Sequence, residues 1–194
     1  MHGGLIAGWF HAVKRAIASG CKKTIIRGQR AYSSVGQSRR LIIVGDTNLV
    51  VYLHVESEFT ARARQVYAID SVWVFPPVAH SEAANALTTL TREKWISAET
   101  ALLCLGLIEP RIVAGFRDVP MKAVLQLATE RGISAYDAQF IVLAMQLGIS
   151  LVTEDGKLKK RFPGIAISME PFIDGASKDT VRESRAAYGG RRKS

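Results

Sequence analysis

The alternation of apolar and polar positions becomes regular at Leu41. LIIVGD (41–46) is an apolar run with β-branched residues and predicts a buried strand, and TNLVVYLHV after it predicts a short helix. SEFTARARQVYAI (57–69) predicts a helix with Ser57 as its N-cap candidate. VWVFPP (72–77) predicts a strand stopped by two prolines, which have no N–H to donate. AHSEAANALTTLTREKW (79–95) and SAETALLCLGLI (97–108) both have helical period and predict a helix pair. MKAVLQLATER (121–131) predicts a helix ended by Gly132, and a further helix is expected over 134–147. A strand SLVT (150–153), the polar stretch DGKLKKRF and a last short strand near IAIS (165–168) follow, with no internal repeat. Short apolar strands alternating with helices predict an α/β fold on a parallel, doubly wound sheet, whose ligands bind outside the carboxyl ends of the strands.

The chain has 194 residues, 48% of them apolar, enough for one domain with a substantial core. No run reaches the roughly 18 to 20 apolar residues that span a bilayer. Even the stretch near Val142 is broken by Gln146, Gly148 and Ser150, so a protein with no membrane partner is expected. Cys21 and Cys104 form no CxxC and have no histidine at ligand spacing, which suggests neither a zinc site nor a disulfide framework. A reducing cytoplasm is the expected location, with Cys104 a small core residue.

The net charge of +9 changes this picture less than its size suggests. Residues 1–40 carry eight basic and no acidic residues, 174–194 carry six basic and three acidic, and 41–173 carry twelve basic and fourteen acidic. The segments thus contribute +8, +3 and −2, so the excess lies in the appendages. Three parts are expected: an N-terminal extension (1–40), a folded domain (41–173), and a small, polar, disordered basic tail (174–194). In the extension, Leu5, Trp9, Val13 and Ile17 have the spacing of an amphipathic, surface-seeking helix. His11, Lys14 and Arg15 make it a poor secretory signal. AYSSVGQSRRLII (31–43) resembles the conceptual translation of the D-arm and anticodon arm of a transfer-RNA gene. The expectation is therefore a start placed too far upstream, or a gene adjoining an integration point.

Four acids carry the candidate chemistry. Asp46 follows the first strand, Asp155 follows SLVT, and Glu82 and Asp137 are expected in the first turns of helices running past the same sheet edge. Each also has an ordinary reading. Asp46 can be a helix N-cap, Glu82 can favour a helix dipole, Ser134-x-x-Asp137 resembles a capping box, and Asp155-Gly156 can form an Asx turn. Converging, the four carboxylates would repel one another and raise some of their pKa values unless a cation neutralised them. Oxygen ligands without His or Cys suit Mg²⁺ or Mn²⁺. Such an ion can activate water for attack on a phosphodiester, which makes the site a candidate metal-dependent nuclease.

VGDTNLVVYL, HSEAANAL, SAYDAQFIVLA and LVTEDGKLKKRFPGIAIS resemble, in order and spacing, the four acidic motifs of PIN-domain proteins, particularly VapC-type toxins of toxin–antitoxin systems. The resemblance spans about residues 41–173. It implies a three-layer α/β/α sandwich with a mainly parallel sheet. It also implies a metal-dependent ribonuclease, usually a homodimer, acting on RNA and held inactive by a small cognate antitoxin. Carried over by position, Asp46, Glu82, Asp137 and Asp155 become metal-binding acids, Thr153 the hydroxyl residue beside the last acid, and Asn48 the polar residue two after the first. Glu154 falls where the family varies and is expected to be solvated. The extension departs from the family pattern, which begins almost at its first strand.

Lys157, Lys159, Lys160 and Arg161 crowd after Asp155, where they could hold phosphates without reading sequence. A phosphatase on the same sheet would want a second acid in a DxD-like motif, which DTN (46–48) does not supply. No GxGxxG follows the first strand and no GxxxxGK[ST] occurs, so the glycine cradle of nucleotide cofactors is missing. The remaining alternative is a noncatalytic module whose acidic cluster docks a partner's arginines.

Overall fold

Ile43 and Val44 open the first strand, β1 (Ile43–Gly45), and both are buried, as β-branched residues between two layers should be. Gly45 closes it because a Cβ there would meet Phe75 Cε1 at 2.8 Å. The computed structural model describes residues 42–176. Along them β1 is followed by α1 (Thr47–His54), α2 (Thr60–Ile69), β2 (Trp73–Val74), α3 (Val78–Arg92), α4 (Ala98–Ala114), α5 (Met121–Arg131) and α6 (Ala135–Leu147). Then come β3 (Leu151–Val152), α7 (Gly156–Arg161) and β4 (Ala166–Ile167), with residues 169–176 again helical.

The strand order is β2-β1-β3-β4 and every pair is parallel, with Val44 opposite both Val74 and Leu151 and Val152 opposite Ile167. With helices on its faces the sheet forms a three-layer α/β/α sandwich. The order reverses between β1 and β3, so the carboxyl ends of these two strands flank the crevice where wound sheets bind ligands. Asp46 N–H donates to the Val152 carbonyl at 3.2 Å and holds the two ends together. Helix α6 buries Ala138, Phe140, Ile141, Leu143 and Ala144 beneath the sheet, which anchors the Asp137 end of that helix.

Several predicted boundaries shift. Ser57 is not the N-cap of α2. The helix starts at Thr60, Phe59 caps it without a side-chain bond, and Ser57 forms a buried turn in which its N–H donates to the Thr60 hydroxyl at 2.9 Å. Helix α4 continues past Ile108 to Ala114, through Pro110. The proline forfeits the bond to the carbonyl of exposed Gly106, while Ile108 and Ile112, one turn apart and both buried, carry the helix across the gap. DGKLKKRF contains the short helix α7, pinned by Leu158 in the core. Residues 174–176, placed in the tail by the sequence reading, belong to the last helical segment. The amphipathic extension, Cys21, the transfer-RNA-like string up to Leu41 and positions 177–194 lie outside the described residues. Cys104 is buried in the core; among the described residues it has no disulfide partner, and no helix is long and apolar enough to cross a membrane.

Candidate functional site

Asp46 sits where β1 ends and α1 begins, and it is the N-cap of α1 through Oδ1, which accepts from the Asn48 N–H at 3.0 Å. Capping uses one oxygen only. The other, Oδ2, accepts a short bond from the Thr153 hydroxyl at the end of β3. Asp46 is 3% exposed, and burial pushes its carboxyl up to about 6, with the bonds from Thr153 and Asn48 opposing the rise and Asp155 and Asp137 adding to it.

Glu82 lies one full turn inside α3, because the helix begins at Val78 rather than at Ala79. That removes the first-turn dipole reading. Its Oε2 accepts from the Thr47 hydroxyl at 2.8 Å. Burial pushes Glu82 up to about 8, Asp46 adds to the rise, Thr47 opposes it, and Asp137 contributes further.

Asp137 occupies the first turn of α6, whose N-cap Ser134 accepts from the Asp137 N–H at 3.0 Å. Its Oδ1 is buried and has no hydrogen-bond partner among the described residues. Burial raises its pKa, hydrogen bonding to Ser134 and the nearby Lys157 charge lower it, and Asp155 raises it. Asp155 caps α7, its Oδ1 accepting from the N–H groups of Lys157 at 2.6 Å and Leu158 at 3.1 Å. Its own N–H donates to the Thr153 hydroxyl, so Thr153 ties the ends of β1 and β3 into one unit.

The structure therefore brings Asp137 and Asp155 into the field of Asp46, and Asp46 and Asp137 into that of Glu82, with the Thr153 hydroxyl and the Asn48 backbone N–H, rather than the Asn48 side chain, bonded to Asp46. Thr47 was not anticipated. Its partner lies 35 residues away, and no local pattern marks a threonine at a helix start as a carboxylate donor.

The basic cluster divides. Lys157 is exposed and close enough to Asp137 to act on its charge, and Lys160 is exposed. Lys159 Nζ is instead held by Glu154 at 3.1 Å and Ser168 at 2.6 Å, and Arg161 Nη1 donates to the Arg131 and Gly132 carbonyls at the end of α5. Glu154, expected to be solvated, accepts from Lys159 and from the Met169 N–H at 2.9 Å, which anchors the segment 169–176.

A cation fits the donor chemistry of the acids. The set is all oxygen, burial raises the pKa of Asp46, Glu82 and Asp137 with neighbouring acids adding to each rise, and Asp137 presents a buried oxygen without a donor among the described residues. Among the described residues no group of three or more His, Cys, Asp or Glu side chains is placed so as to hold a metal ion. Mg²⁺ does not require such a group, since it usually keeps several waters and takes one or two carboxylates directly.

The family model described as "PIN domain" matches residues 43–161. "Exonuclease VapC9" of Pyrobaculum aerophilum is 34% identical over 98 residues, covering 47% of this chain and 68% of that protein. The crystal structure of PAE2754 from the same organism superposes with a TM-score of 0.58 at 23% identity over 72% of this chain and 99% of that one, a likeness of fold.

Proposed function

The chain belongs to the PIN-domain family, and from that premise we propose that it is a metal-dependent endoribonuclease, the toxin of a toxin–antitoxin pair, held inactive by a small cognate antitoxin. The observation that carries the proposal is the buried Oδ1 of Asp137, without a partner among the described residues, beside Asp46 and Glu82, whose pKa values burial raises and neighbouring acids raise further. Buried polar atoms without a partner call for an explanation, and a divalent cation supplies one here. Asp46, Glu82, Asp137 and Asp155 are the residues that would hold Mg²⁺ or Mn²⁺. When bound, that ion would supply a nucleophilic water at neutral pH and stabilise charge on the phosphodiester.

The chain's own groups do the rest. Thr153 fixes the Oδ2 side of Asp46, and the α7 amides hold Oδ1 of Asp155. Lys157 and Lys160 are the cations available to RNA phosphates, a contact that positions a strand without reading it. The nuclease is assigned to residues 41–173. On the same reading it works in the cytoplasm as a homodimer, for which the exposed Leu102, Leu103 and Leu107 of α4 offer apolar surface.

The name of the Pyrobaculum relative says exonuclease, so the cleavage mode is the point to test. A circular RNA incubated with the purified protein and Mn²⁺ should be linearised. Shortening of linear RNA from an end, with the circle intact, would make the enzyme an exonuclease. Neither, in the absence of antitoxin, would favour the noncatalytic module whose acids dock a partner's arginines.

A further inference from the structure

We propose that Thr47 is a positioning residue of the metal centre, holding the Glu82 carboxylate against the first acidic motif. The inference rests on the metal-centre reading above. Thr47 is the first residue of α1, directly after Asp46, and is 2% exposed. A threonine near a helix start commonly turns its hydroxyl to the local backbone. This one donates instead to Oε2 of Glu82 on α3, at 2.8 Å.

The arrangement parallels the other side of the site, where the buried Thr153 hydroxyl donates to Asp46. One threonine orients the acid of β1, and the other orients the acid of α3. Glu82 needs the help most. It is a long side chain emerging from the second turn of a helix, and immobilising it costs side-chain entropy when a ligand arrives. A buried donor fixed by the first turn of α1 settles its position beforehand, as a supporting shell does for a ligand set. With Oε2 held, Oε1 is the oxygen that Glu82 presents.

The test is Mn²⁺ affinity, measured by calorimetry on the full chain without nucleic acid. Thr47→Val removes the hydroxyl and keeps the shape, and Thr47→Ser keeps the hydroxyl. Thr47→Val should weaken Mn²⁺ binding about tenfold, the scale of one hydrogen bond to a charged group. Thr47→Ser should stay within about twofold of the wild type. In a Glu82→Gln background, Thr47→Val should add less than about twofold, because the two residues act as a unit. Circular dichroism and thermal melting of the metal-free variants check folding, and Thr47→Ala takes the place of Thr47→Val if the latter melts early. Wild-type affinity in the hydroxyl-free variants, or the same loss with and without Glu82, would overturn the role of Thr47 alone. Absence of Mn²⁺ binding by the wild type would overturn the metal-centre reading and the role of Thr47 with it.

Discussion

Asp137 carries a buried acceptor that no group among the described residues satisfies. Replacing it with asparagine removes the charge at nearly constant volume. With Asp137 in the metal-holding role proposed above, the substitution should slow RNA cleavage by at least about a hundredfold, read as initial rates on total RNA. The metal-free variant should melt no lower than the wild type at pH 8, because one member of a mutually repelling group has gone. Thr153→Val deprives buried Asp46 of its hydroxyl donor. It should cost about 1–3 kcal/mol in urea unfolding at pH 7, with Thr153→Ser recovering most of the loss. Asp46, Asp137 and Asp155 stand out in the sequence because each follows a buried run or opens a strongly apolar helix, whereas Glu82 stands out only as part of the ordered set of motifs. Thr47 was not legible, because its partner lies far along the chain. Nor was the division of the basic cluster: Lys159 and Lys160 look alike in sequence, and only packing assigns Lys159 to Glu154 and Ser168.

At the scale of elements, helix ends set where the acids stand. Gly132 and Gly148 end α5 and α6 at φ 58° and 64°, the left-handed region that costs a residue with a Cβ about 1–2 kcal/mol. Gly148→Ala should lose about that much stability in urea melts while leaving Mn²⁺ affinity unchanged, since the glycine lies at the end of α6 opposite Asp137. Gly115→Ala should be far more damaging, because its Cβ would lie 2.1 Å from the Trp73 carbonyl oxygen, and β2 would have to move. The regular elements were readable where one signal dominated, as in the apolar run of β1 or the Gly132 stop of α5. Three features escaped that reading. Pro110 masks the last turns of α4, α7 shows only Leu158 as an apolar anchor, and the Ser57 turn depends on a Thr60 hydroxyl that sequence periodicity does not register.

For the whole molecule, the raised carboxyls link folding to pH. Asp46, at about 6, and Glu82, at about 8, keep protons in the folded state where an unfolded carboxyl, with a pKa near 4, has lost them. These two carboxyls hold more protons in the folded than in the unfolded chain between about pH 4 and 8, so their contribution to stability is full below that window and is lost as pH rises through it, while His54, lowered to about 4 by burial, opposes them over the lower part of the window. For Asp46 alone the loss is on the order of 3 kcal/mol. Urea melts in chelator should show the metal-free protein weaker at pH 8.5 than at pH 5. Mn²⁺ should restore more stability at pH 8.5, because its ligands bind deprotonated. Equal stability at both pH values would contradict the raised, buried carboxyls of the site. The claim that the converging acids form a nuclease centre meets its most direct test in cleavage of total cellular RNA by the purified, antitoxin-free chain with Mg²⁺ or Mn²⁺ and with chelator, beside a folded Asp137→Asn variant. Cutting that requires the metal and is lost in the variant is the expected result. Cutting that survives the chelator or the substitution, or none with either metal, would contradict it.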